Sequence, residues 1–151
     1  IQKPAHARRV IGVLGDIGYQ KGAGLIDGLA RYLEANNIGL AIVGHFDLSF
    51  PLPPSVPVHG AYKMSNLAQI AARYGITDWI IPSIWPETFS FTTHEALATG
   101  LPVHAFGLGA QGDAVTQAEN GFTIPFASKD DLGQNLQQHF AQHLKHPKRA
   151  A

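Results

Sequence analysis

Short apolar runs alternate with segments of helical period along this 151-residue chain, and that alternation leaves few folds open. VIGVL (10–14), LAIV (40–43), WII (79–81) and VHAF (103–106) are strand-sized, and the stretches between them carry apolar residues three and four apart. Parallel strands joined by crossover helices read this way. After the first strand, residues 22–35 place Leu25, Ile26, Leu29, Ala30 and Leu33 on one helical face. The segment PLPPSVP (51–57) must be loop, because proline breaks both helices and central strands. Val58 and its neighbours form a short third strand by this reading. Ser65 is placed to cap a helix that runs to Tyr74 and stops at Gly75.

The second half continues the pattern. Pro82 ends the fourth strand, a helix spans about Thr92 to Thr99 with Gly100 as its stop, and Phe122 to Pro125 is a sixth strand. Ser128 caps a last amphipathic helix carrying Leu132, Leu136, Phe140 and Leu144. The expectation is an α/β domain over residues 1–151, a doubly wound parallel sheet of six strands in the order 3-2-1-4-5-6.

Composition narrows the partners. Eleven basic and eleven acidic residues cancel, which argues against a general grip on nucleic acid or an anionic membrane. The basic tail Lys145, Lys148, Arg149 reads as a solvated end. With no cysteine, disulfides, thiolate catalysis and thiolate metal sites are excluded. No signal peptide or membrane-length apolar run is present, so direct membrane insertion is not expected. Charged residues make up 15% of the chain, against about 25% in ordinary domains. Either a compact glycine-rich domain or a surface covered by a partner or a missing domain accounts for this. The start IQKPAHARRV, without methionine and directly before a strand, reads as a piece of something longer.

In a doubly wound sheet, ligands sit beyond the carboxyl ends of the strands at the point where strand order reverses. That rule selects GDIGYQKG (15–22), after the first strand, and PSIWPETFSF (82–91), after the fourth. The first has glycines for a tight path, helix-start N–H groups and Lys21 to meet an anion, although a plain turn with a solvated lysine reads the same. The second leads into a helix and carries Glu87 and Glu95. Thr92-x-x-Glu95 is a capping box, which alone would account for both residues. Ionised carboxylates are also good acceptors for a polyhydroxylated ligand, and the helix start is a seat for phosphate. GLGAQG (107–112) matches a dinucleotide fingerprint, but too few residues follow before Asn120-Gly121 for a crossover helix, so a small-residue loop lining the cleft is expected. His139 and His143 read as part of a surface helix and His94 as solvent-facing, and no metal site is assigned.

Taken together, Gly15…Lys21-Gly22, Ile42-Val43-Gly44, His59-Gly60, Pro82-Ser83, Glu87-x7-Glu95-Ala96, Gly100-Leu-Pro-Val103 and Asn120-Gly121 resemble a known pattern. It is that of the C-terminal, donor-binding domain of GT-B fold retaining glycosyltransferases of group 1 (family 4), over about Val10 to Phe126. The resemblance implies a Rossmann-like domain that is one half of a GT-B fold, with the N-terminal acceptor domain absent. It implies a nucleotide diphosphate sugar as donor substrate, no cofactor, no metal, and a cytoplasmic setting in polysaccharide biosynthesis, reached at the inner membrane face through the rest of the protein.

The same resemblance assigns roles. Glu87 lies by the transferred sugar and the reaction centre, and Glu95 binds the ribose hydroxyls. Ser90, where the family often has glycine, leads into the N–H groups of Phe91 and Thr92 that hold the diphosphate. Gly15 and Lys21 face that diphosphate, and the backbone of Ala61 and Tyr62 reads the base. Asp113 falls near an acidic position of the loop after the fifth strand. Asp16 departs from the pattern: it stands where the family commonly has a phosphate-binding arginine. The implied activity is retaining glycosyl transfer, with the isolated domain binding donor but not turning over. A nucleotide-sugar epimerase of the same fold and a non-catalytic nucleotide- or sugar-binding module are the alternatives.

Overall fold

The computed structural model describes residues 8–145, and side chains as far as residue 143. Leu144 and the Lys145, Lys148, Arg149 tail therefore lie outside the described side chains.

Five parallel strands form one sheet: β1 (Val10–Leu14), β2 (Gly39–Val43), β3 (Asp78–Ile81), β4 (Val103–Phe106) and β5 (Gly121–Ile124). Their order is β2-β1-β3-β4-β5. Among the described residues the expected six strands are thus five. The segment at Val58 makes only isolated bridges beside β2, at Ile42–Val58 and Gly44–Gly60. The prolines of 51–57 explain why: Pro57 offers its carbonyl to Ile42 N at 2.9 Å but has no N–H to return. The chain then gives one bond from His59 N to Ile42 O and one from Gly60 N to Gly44 O, and turns away. The reversal of order still falls between β1 and the strand that begins at Asp78, so the switch point stands where the sequence places it.

Helices α1 (Ala23–Ala35), α2 (Leu67–Tyr74), α3 (Phe91–Ala98), α4 (Gly109–Gln117) and α5 (Leu132–Lys145) cover both faces. On one face Ile26, Leu29 and Leu33 of α1 and Leu132, Leu136 and Phe140 of α5 pack on Ile11, Val13, Ile80 and Phe106. On the other, Leu67 and Ile70 of α2, Ala96 of α3 and Val115 of α4 pack on Leu14, Trp79 and Val103. Trp79 is fully buried, and its indole N–H donates to Thr99 Oγ1 at 3.0 Å, so the largest core side chain leaves no unpaired donor. Among the described residues no helix is long and apolar enough to cross a membrane.

Two local expectations are corrected. Ser65 does not cap α2; it sits inside a 3-10 turn (Met64–Asn66) that leads into the helix without a side-chain cap. The GLGAQG stretch is loop only at Gly107 and Leu108; from Gly109 it is the start of α4, which makes a compact crossover from β4 to β5. Its small residues let the helix press on the sheet, since a Cβ on Gly112 would stand 2.9 Å from the Phe106 carbonyl oxygen. Ser128 does accept from Asp130 N at 3.2 Å, ahead of the 3-10 turn that opens α5.

Candidate functional site

The two loops selected by the topology meet across one crevice. Gly15, at φ 125°, lies so close to α3 that a Cβ there would be 3.4 Å from Thr92 Cγ2. Gly22 ends the first loop in the left-handed region at φ 90°, and a Cβ on it would overlap the Pro82 carbonyl oxygen. Only glycine permits that approach, and with it the second loop is drawn in. Ile84 N donates to Gln20 O at 3.0 Å, and Lys21 forms an ion pair with Glu87. Burial lowers the pKa of Lys21, with the charge of Asp16 working against it.

Glu87 is held by the helix the sequence reading missed. Gln111 of α4, completely buried, accepts from Glu87 N–H through Oε1 at 3.1 Å and donates through Nε2 to Trp85 O at 2.8 Å. Ala110 N–H donates to Glu87 O at 2.8 Å. The Glu87 backbone is thus clamped on both sides, with one carboxylate oxygen on Lys21 and the other, Oε2, buried and unpartnered. The Ser83 hydroxyl on the same loop is also buried and unpartnered. Buried polar atoms without partners are rare and mark places where a partner can arrive. The signal for Gln111 in the sequence is a lone long polar residue among glycines and alanines in GLGAQG.

The cap of α3 also differs from the expected Thr92–Glu95 box. Ser90 is the N-cap: its Oγ accepts from Thr93 N at 3.3 Å and pairs with Thr93 Oγ1 at 2.7 Å, with both residues buried. The helix begins at the exposed Phe91. Glu95 is therefore free of capping duty, and it lines a cavity of about 440 Å³ with Asp16, Gly44, His45, Ala61, Tyr62 and Met64. The Tyr62 phenol is pushed up to about 12 by burial, then by the charge of Glu95 and its hydrogen bond, with Asp16 adding to it. Ala61 and Tyr62 also line a neighbouring groove of about 500 Å³ with Lys63 and Arg73.

Asp16 does not turn away from the crevice. It lines the Glu95 cavity and its Oδ1 accepts from His45 N at 3.4 Å. Three carboxylates, Asp16, Glu87 and Glu95, thus share the crevice with one ammonium, Lys21. Asn120 is structural, its amide donating to Leu97 O at 3.0 Å and Leu101 O at 2.9 Å across the turn after α3. Asp113 is exposed on α4, and His94 is exposed with its ring stacked on Phe89.

A second polar cluster lies at the opposite end of the sheet. Asp78, first residue of β3, is completely buried and receives Arg9 at 2.9 Å, His104 of β4 at 3.0 Å and His143 of α5 at 3.1 Å. Burial opposes its ionisation, but the bonds from His104 and His143 and the charges of His104 and Arg9 outweigh that and hold the carboxyl well below the usual range. Nδ1 of His104 lies 2.7 Å from Nε2 of His139, whose pKa burial lowers to about 3. His139 and His143 are therefore packed against the sheet rather than set on a surface helix.

Solved structures share this fold. The chain superposes on the GtfA/B complex (TM-score 0.65, 20% identity, 95% of this chain and 31% of that one). It matches Anabaena HepE, solved with UDP-glucose (TM-score 0.63, 19% identity, 91% and 40%), and sucrose-phosphate synthase of Thermosynechococcus elongatus (TM-score 0.65, 22% identity, 92% and 37%). The chain spans between 31% and 40% of the length of these proteins. No protein-family model and no curated protein sequence matches it. At these identities the likeness establishes architecture: a Rossmann-like domain consistent with one half of a GT-B fold.

Proposed function

We propose that this chain is the donor-binding domain of a retaining glycosyltransferase of group 1 (family 4), acting on a nucleotide diphosphate sugar. The observation that carries the reading is the pairing of Lys21 with Glu87 at the switch point, beside a cavity lined by Glu95, Ala61 and Tyr62. Solved proteins of the same fold add support, since HepE was crystallised with UDP-glucose.

In this reading the base lies against the backbone of Ala61 and Tyr62, and Glu95 accepts from the ribose hydroxyls. The diphosphate meets the amides of Phe91 and Thr92 at the α3 start, held open by the Ser90 cap, with Gly15 opposite and Lys21 as counter-charge. As the sugar–phosphate bond breaks, Lys21 and the helix-start amides stabilise the departing diphosphate by preorganised electrostatics. Glu87 orients the sugar and stabilises its developing positive charge. The donor must separate Lys21 from Glu87, so each takes up its role only once the site is filled. The acceptor comes from the N-terminal domain of the longer protein, and this domain alone binds donor without turnover. We place the full protein in the cytoplasm, at the inner membrane face, in polysaccharide biosynthesis.

Asp16 favours a second reading, a non-catalytic nucleotide- or sugar-binding module, because a carboxylate repels diphosphate. The test is calorimetric titration with UDP, GDP and ADP, followed by an assay of the full-length parent for donor hydrolysis and transfer. Binding with turnover by the parent supports the enzyme, and binding with a wholly inactive parent supports the module. Failure of all three nucleotides at about millimolar concentration, an affinity of only about 4 kcal/mol, sinks both.

A further inference from the structure

Three ligand-type atoms from three distant parts of the chain converge at the end of the sheet away from the crevice. We propose that Asp78, His104 and His143 form a site for a divalent transition-metal ion, zinc foremost, that pins α5 to the sheet. The inference does not depend on the sugar-nucleotide reading.

Geometry comes first. Asp78 Oδ2 stands 3.0 Å from His104 Nε2 and 3.1 Å from His143 Nε2, and the three atoms all lie within 4.8 Å of one another. Ligands of a tetrahedral zinc, bound at about 2.0–2.1 Å, are about 3.3 Å apart. To admit the ion, the two short contacts open by a few tenths of an ångström and the third edge, His104 Nε2 to His143 Nε2, closes from within 4.8 Å to the same spacing, a movement the His143 ring on α5 supplies. Chemistry narrows its identity. Two imidazoles and one carboxylate suit zinc, cobalt or nickel, whereas calcium and magnesium need oxygen ligands throughout. The fourth position is left to water, reached past His143, whose side chain is 18% exposed while Asp78 and His104 are fully buried.

The surroundings are those of a supported site. Asp78 Oδ1 is fixed by Arg9 at 2.9 Å and Thr77 Oγ1 at 2.8 Å, and Oδ2, which Arg9 reaches more weakly at 3.2 Å, is the oxygen that both imidazoles meet. The other ring nitrogen of His104 is fixed by His139 at 2.7 Å. Outer partners of this kind orient the ligating rings. Protons balance without loss: without the ion both Nε2–H groups donate into Oδ2, and with it each ring carries its proton on Nδ1. For His104 that proton is then donated to His139 Nε2. Arg9 is a like charge beside the ion, which weakens binding, and an affinity of about micromolar is expected.

The consequence is a cross-link. Residues 78, 104 and 143 join β3, β4 and α5, so the ion adds to the apolar contacts of Leu132, Leu136 and Phe140 in seating α5. The full chain, stripped with a chelator, is titrated with Co²⁺ by visible absorbance and with Zn²⁺ by calorimetry and thermal melting. One ion per chain is expected, with the strong visible bands of four-coordinate cobalt and a melting midpoint that rises with zinc. His143→Gln should weaken binding by about a hundredfold or more, and His94→Gln should leave it unchanged. Equal affinity in His143→Gln overturns the site, as does the absence of saturable binding below about millimolar metal. Zinc-edge X-ray absorption on the unaltered chain needs no variant: a shell with two imidazoles supports the site, and a shell with none overturns it.

Discussion

Replacing Gln111 by methionine tests whether the α4 amide positions Glu87. The two side chains are similar in length and volume, so the completely buried site stays filled. What is lost is the acceptor at 3.1 Å from Glu87 N and the donor at 2.8 Å from Trp85 O. An unpaired group costs about 1–3 kcal/mol when buried. Trp85 is 49% exposed, so water can reach part of this loop and the low end applies, about 2 kcal/mol for the pair. For a chain of this size that is a fall of about 4–8 °C in melting midpoint. The Ala110–Glu87 bond remains, so the loop loosens rather than unfolds. Nucleotide affinity should change little, because Glu95 and the α3 start are untouched. Turnover of the full-length parent should fall about tenfold or more as Glu87 loses its position. Chemical denaturation gives the first number and single-turnover kinetics the second. A variant within about 0.5 kcal/mol of wild type, with unchanged turnover, would show that α4 does not position the carboxylate.

Three shorter predictions concern the same crevice. Ser90→Ala should cost about 1–2 kcal/mol in urea denaturation because it removes the true α3 cap, whereas Glu95→Ala should cost under about 0.5 kcal/mol and instead abolish nucleotide binding; the reverse pattern would restore the Thr92–Glu95 box. Lys21 has a pKa lowered by burial, and a bound diphosphate favours its charged form. Raising a pKa on binding means proton uptake at alkaline pH below the ordinary lysine value, seen as a buffer-dependent binding enthalpy that Lys21→Arg removes. The Tyr62 phenol, at about 12, should be the tyrosine signal that Tyr62→Phe deletes from the strongly alkaline part of an absorbance titration, and Glu95→Ala should bring it down.

Much of this fold is legible because local pattern and tertiary outcome agree. The apolar runs at 10–14, 79–81 and 103–106 are strands, and the Gly75 stop is a left-handed C-cap at φ 70°. The expectations that fail depend on long-range partners. Val58 has strand-like neighbours, but pairing with β2 requires donors that the adjacent prolines lack. The Thr92–Glu95 spacing fits a box one residue pair away from the cap that packing selects, where Ser90 can bury its hydroxyl against Thr93. The buried Asp78 cluster joins residues far apart in the chain, Arg9 lying 69 positions before Asp78 and His143 65 after it. Its trace in the sequence is a charge opening the apolar run DWII and a histidine inside VHAF, two polar residues where parallel strands are otherwise apolar.

The hardest residue to reconcile with a diphosphate is Asp16, and its position makes the difficulty measurable. It is exposed at the rim of the Glu95 cavity, which it lines, and only a main-chain N–H, that of His45, contacts its carboxylate at 3.4 Å among the bonds described. Its charge acts on both Lys21 and Tyr62. A unit charge on the rim of such a crevice is worth about 0.5–1 kcal/mol against the phosphates at the dielectric of a protein surface. Asp16→Asn should therefore tighten nucleoside diphosphate binding about two- to fivefold, and Asp16→Arg by more. Because the effect is electrostatic, it should shrink at high salt. Nucleoside binding, without phosphates, should not gain. If Asp16→Asn tightened nucleoside and diphosphate alike, or neither, the phosphates would not lie between Lys21 and the α3 start, and the proposed pose would have to be abandoned. If only the diphosphate gains, Asp16 becomes a weight set against donor affinity in a site otherwise arranged to hold it.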